Sequence, residues 1–144
     1  MEKKARRLEE RGVWLPLEIK TGKMTIKTSG LFNSGYRVEE PHIALPVPLC
    51  RRLEIVPIRF EPDVPDLWIT GSVVEVRVAA QDRQTDWIKT RVHAFMYKPY
   101  ILISTSLASR LGVGIYDPHE GLWFFRNEIT NIRKPAKPTF YRIE

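Results

Sequence analysis

The feature that most limits the fold is punctuation: eleven prolines and eight glycines in 144 residues fall mostly between short apolar runs. Proline removes a backbone donor and glycine weakens helix interiors, so long helices are excluded and short strands joined by turns are favoured. The stretch VWLPLEIKTGKMTIKTSG holds two alternating runs around Thr21-Gly22, the pattern of a hairpin. Further strands are expected at 53–60, 68–80, 86–97, 100–104 and 121–132, with only short helical signals between them. The expectation is therefore all-β, a barrel or sandwich. One domain at 13–132 would carry the core, between a charged N-terminal extension at 1–12 and a basic C-terminal tail at 133–144. MEKKARRLEE could form one or two helical turns with almost no apolar face, hence a frayed helix.

Two segments match each other without gaps. LPVPLCRRLEI (45–55) aligns on ISTSLASRLGV (103–113), pairing Leu49 with Leu107, Cys50 with Ala108, Arg52 with Arg110, Leu53 with Leu111 and Ile55 with Val113. Each reads as an extended segment entering a short helix. In the second copy Ser104, Thr105 or Ser106 can cap the free N–H groups and Gly112 suits the left-handed turn that ends a helix. In the first, Pro48 can take the first helical position. The domain is thus expected to contain two related halves.

Composition narrows the function classes. With 43% hydrophobic and 28% charged residues the chain can bury a core without disulfides or metal. No apolar run reaches the roughly 18 residues that span a bilayer, and the charged start has no apolar segment behind it, so a cytoplasmic protein without membrane contact is expected. The single cysteine, Cys50, sits between leucines and reads as a buried thiol. His42, His93 and His119 have no cysteine or carboxylate at ligand spacing, so neither a metal nor a cofactor is expected. The net charge of +6 is spread out, densest in the KKARR and IRKPAKPTFYR ends, which read as solvated termini. Asp63, Asp66, Asp82, Asp86 and Asp117 each fit turn chemistry.

The order of these pieces resembles the retropepsin-like aspartic proteases, short prokaryotic type. TSGLFNSGYRVEEPHIALPVPLCRRL (28–53) is similar to their turn, active-site loop and first-half helix; ITGSVVEVRVAA (69–80) to their flap hairpin; YILISTSLASRLGVGIYDPHEGLWFF (100–125) to their second-half helix and closing hairpin. The likeness covers roughly residues 13 to 128. It implies a closed or partly open acid-protease barrel with two short helices and pseudo-twofold halves. The family's D-[TS]-G turn falls on Thr28, Ser29 and Gly30, with Thr28 where the catalytic aspartate should be. The family uses two carboxylates, one per subunit, sharing a proton to activate water. A threonine hydroxyl cannot accept a proton near neutral pH, so the resemblance implies an inactive member. Ser104 where the family has glycine and Lys27 in a normally apolar strand end are further departures.

The resemblance further implies a homodimer whose cleft binds an extended peptide or protein by strand addition. Leu31, Phe32, Asn33 and Tyr36 would line its floor, with Thr70, Gly71 and Ser72 near the covering hairpin, and one of Glu39 or Glu40 could face it. Two alternatives remain: an active aspartic endopeptidase using another carboxylate, and a basic nucleic-acid-binding β module. The aromatic-basic interleaving of DWIKTRVHAFMYKPY suits base stacking in the latter, although its alternation is also that of a half-buried strand.

Overall fold

The structure is a computed structural model that describes residues 11–22, 24–62 and 66–142. Among these residues, nine strands and two short helices run in the order β1 (Trp14–Thr21), β2 (Met24–Phe32), β3 (His42–Pro46), α1 (Val47–Arg52), β4 (Arg59–Phe60), β5 (Leu67–Val78), β6 (Ile88–Phe95), β7 (Ile101–Ile103), α2 (Thr105–Arg110), β8 (Val113–Asp117) and β9 (Leu122–Phe125). Six of them close into a barrel, β1-β2-β7-β3-β6-β5, because β5 returns to pair with β1 from Leu17↔Val78 to Lys20↔Glu75. The two-residue β4 lies on the outer edge of β5, and β8 and β9 form a separate hairpin. The helical turns expected in MEKKARRLEE fall outside the described residues.

Alternation builds the wall. Leu15, Leu17 and Ile19 of β1 face inward with Val74, Val76 and Val78 of β5 and Val92 and Ala94 of β6, all buried in one cluster. Trp123 and Phe125 of β9 join that cluster, so the terminal hairpin packs onto the barrel. A second apolar cluster lies on the opposite face of the sheet, where Trp14, Ala44, Leu67, Phe95, Tyr100 and Leu102 meet Tyr36 of the β2–β3 loop and Phe140 near the C-terminus.

The expected two halves are visible in the strand pairing. Exchanging β1 with β5, β2 with β6 and β3 with β7 leaves every barrel pairing unchanged: the antiparallel pair β1–β2 becomes β5–β6, and the parallel pair β2–β7 becomes β6–β3. The pairs β1–β5 and β3–β7 map onto themselves. The exchange also carries α1 onto α2. Ser104 caps α2 by accepting the Leu107 N–H, whereas Pro near the first position opens α1. Both helices end on a left-handed residue at matching positions, Gly112 (φ 75°) and Glu54 (φ 59°).

A left-handed residue other than glycine costs about 1–2 kcal/mol. The exposed Glu54 carries that cost where its counterpart avoids it. Glu54→Gly should therefore hold or raise stability, by up to about 1 kcal/mol after the extra entropy of glycine in the unfolded chain. Urea unfolding of both proteins measures this, and a loss of stability would mean that the Glu54 side chain is needed in place.

Candidate functional site

The sequence places Thr28-Ser29-Gly30 at a strand end; the structure places it inside β2, paired with Leu17, Pro16 and Leu15 of β1. The strand continues through Leu31 and Phe32 because their half-buried side chains extend the alternation. Gly30 serves packing, not a turn. A Cβ there would lie 2.9 Å from both Ile101 and Leu17 side chains inside the barrel.

The two hydroxyls hold the C-terminal segment. Ser29, 3% exposed, donates from Oγ to the Lys137 carbonyl (2.7 Å) and lies 2.8 Å from Thr139 Oγ1. Thr28 Oγ1 meets the Tyr141 hydroxyl at 2.7 Å. The Ala136 N–H donates to Trp14 O, the Tyr141 N–H to Pro99 O, and Phe140 packs edge-on against Trp14 and Tyr100. Arg133 anchors the start of the segment with a bidentate pair to Asp82 and a contact to Glu128. Residues 133–142, expected as a solvated tail, therefore form a strap along the barrel.

The remaining expected site residues separate. Asn33 is exposed, Leu31 and Phe32 are half-buried, and Tyr36 is buried at 3% exposure, so these four do not form one open floor. Thr70 is buried too; its Oγ1 donates to Val92 O (2.7 Å) and accepts the Ser72 N–H. Gly71 (φ 75°) makes the bulge in β5. Glu39 and Glu40 are both exposed, and Glu40 pairs with Arg91 at 2.8 Å. Ser104 is sealed, donating to His42 O while capping α2. Lys27 is exposed. Asp117 Oδ1 accepts the His119 and Glu120 N–H groups, as expected for a turn; Asp63 lies outside the described residues.

Immediately after β2, Asn33-Ser34-Gly35 forms a tight exposed turn. Asn33 Oδ1 accepts the Gly35 N–H (2.8 Å), Asn33 O accepts the Tyr36 N–H, and the Asn33 N–H reaches Ile103 O at the end of β7. This turn stands where β2 and β7, running parallel, both end.

Behind it lies a polar cluster not apparent from sequence spacing. The Tyr36 hydroxyl meets His93 Nδ1 at 2.6 Å, His93 Nε2 faces Glu61 at 3.4 Å, and the His42 ring stacks on His93 with centroids 4.5 Å apart. The parallel β3–β6 pairing brings the two histidines together. Burial, then the charge of Glu61, pushes the Tyr36 hydroxyl far up, so it stays protonated and donates to Nδ1; the neutral ring's proton is then on Nε2, toward Glu61. Burial first, then the nearby charge of His42, pushes His93 down to about 4, with Glu61 opposing. Burial likewise pushes the Cys50 thiol up to about 12, leaving it unreactive, as its leucine surroundings suggest. Among the described residues no three metal-binding side chains converge.

Comparison with family models, curated proteins and solved structures returned no match. The fold and geometry therefore define the class alone: a closed six-stranded β-barrel with two short helices and an exposed strand-end turn. No helix among the described residues is long and apolar enough to cross a membrane.

Two consequences are measurable. Ser29→Ala leaves the Lys137 carbonyl without its donor, which should cost about 1–2 kcal/mol and speed hydrogen exchange at the Ala136 and Tyr141 amides; unchanged exchange would mean that the strap is held elsewhere. For His93 the folded value lies below the unfolded value of about 6.5, so below that pH the unfolded chain binds a proton that the folded one resists. Stability should fall by about 3 kcal/mol as pH drops from about 6.5 to about 4, and His93→Gln should flatten that part of the urea-unfolding profile even where it lowers stability overall.

Proposed function

We propose that the chain is a retropepsin-like domain without protease chemistry, acting as a homodimeric module that binds an extended peptide or protein. The observation that carries this reading is the exchange symmetry of the barrel pairing together with the turn where β2 and β7 end. In this reading the D-[TS]-G position belongs to Asn33-Ser34-Gly35, five residues beyond Thr28-Ser29-Gly30. Ser34 is then the motif's hydroxyl residue, Gly35 its glycine, and Asn33 replaces the aspartate. The Gly35 N–H bond to Asn33 Oδ1 is one that a carboxylate could also accept.

The substitution removes the chemistry while keeping the shape. An amide cannot take a proton from water near neutral pH, and losing a general base typically costs about 10²- to 10⁴-fold. Asn33, Ser34 and Gly35 are all exposed in the single chain, which leaves them free to meet a second copy. A cleft between two such copies would bind an extended chain through backbone hydrogen bonds, which need no acid.

Asn33→Asp tests the dimer and its axis together. If two turns meet, the introduced carboxylates repel when both are ionised and share a proton at lower pH. Sedimentation equilibrium should then show wild-type self-association that changes little between pH 7 and pH 4. The variant's dimer should be roughly tenfold weaker at pH 7 and recover toward pH 4, since one unfavourable charge pair of about 1.4 kcal/mol is a factor of ten. A monomeric wild-type chain, or a variant whose association matches wild type at both pH values, would overturn the reading.

A further inference from the structure

The exchange of halves carries the turn after β2 onto the turn after β6, residues 96–99, and beside that second turn lies a groove of about 290 Å³ that the proposed function leaves unused. Pro48, Met96, Tyr97, Lys98, Tyr141 and Arg142 line it. The Tyr97 ring is 69% exposed and makes no hydrogen bond or ring contact with any described residue. Lys98 and Arg142 are exposed and form no ion pair among the described residues. Arg52 lies over the Tyr141 ring at 5.9 Å, and Arg142 over Phe140 at 4.9 Å.

We infer that this groove binds single-stranded nucleic acid. An exposed aromatic face flanked by cations that form no ion pair among the described residues matches a polymer that alternates flat bases with phosphates, since every base can stack and every phosphate releases counterions on pairing. A duplex keeps its base faces stacked inside and offers Tyr97 nothing to cover. An acidic peptide answers the cations but leaves the ring face idle. The strap completes the groove: Tyr141 and Arg142 stand there because Thr28 and Ser29 hold the segment that carries them.

The experiment is fluorescence anisotropy of the full chain with labelled single strands of about twelve nucleotides, within the usual footprint of such sites. A duplex of the same length and unlabelled polyglutamate serve as comparisons, each at about 50 and about 200 mM salt. Single strands of RNA or DNA should bind and weaken with salt. Tyr97→Ala and Arg142→Glu, both at exposed positions, should each lower affinity about tenfold, while Lys89→Glu, which removes an exposed cation of β6 outside the groove, should change it far less. No complex at about 50 mM salt, equal binding of duplex, displacement by polyglutamate as effective as by single strands, or unchanged affinity in Tyr97→Ala would each overturn the inference. Thermal melts of the variants that match wild type ensure that a lost complex reports the groove and not unfolding.

Discussion

The pairing of β1 with β5 is the constraint on which the rest of the structure depends. These four residue pairs, Leu17↔Val78 to Lys20↔Glu75, turn an open sheet into a barrel and so remove two exposed edges. The closure is reinforced from outside by Glu18, which is 6% exposed and accepts from Arg77 across the seam at 2.8 Å. Trp87 lies between Arg77 and Lys20, so the same seam is covered by an aromatic ring with a cation against it on two strands. Without this closure the inward valines of β5 would lose the leucines and isoleucine of β1 they pack against. Among the described residues the only strand left on an outer edge of the barrel sheet, β4, is two residues long and carries Arg59, a length and charge that discourage further pairing.

Much of this was readable in the sequence because it rests on local pattern. The hairpin at Thr21-Gly22, the strands of β5 and β6 and both short helices follow from alternation, turn residues and caps. The match between Leu49 and Leu107 anticipated the two helices, and the shared left-handed residue that ends them carries the likeness one step further. β7 falls within the short apolar run expected at 100–104, whereas β3 is short and mostly buried, so it shows no alternation, and the runs 53–60 and 121–132 are mostly irregular. β8 lies in the closing hairpin that the resemblance implies, and it pairs antiparallel with β9.

The site was legible only in part, for a reason of packing. A glycine after Thr-Ser signals a turn when read alone, but Gly30 is needed because Ile101, Leu17 and Ile103 crowd the barrel interior. The strap leaves no trace in the sequence pattern because KPAKPTFYR has no periodicity; its attachment depends on hydroxyls and carbonyls of residues more than a hundred positions away. The His42–His93 stack and the Tyr36–His93 bond likewise arise from a parallel pairing that no spacing rule reveals.

These facts together decide where chemistry can still occur. Barrel closure fills the interior with apolar side chains, and Thr28 and Ser29 commit their hydroxyls to the strap. The Tyr36–His93–Glu61 cluster is internally satisfied: the tyrosine donates, one ring nitrogen accepts, and the other faces a carboxylate. Exposed turns stand at the ends of β2 and β6, positions that the exchange of halves makes equivalent. Their chemistry has diverged. The first turn presents an amide, a hydroxyl and a glycine, small groups suited to close approach of another backbone. The second presents Tyr97 and Lys98, a ring and a cation suited to a partner with flat, negatively charged units. One pairing scheme thus presents two unlike surfaces, because the barrel fixes where each turn stands and leaves its side chains free to differ.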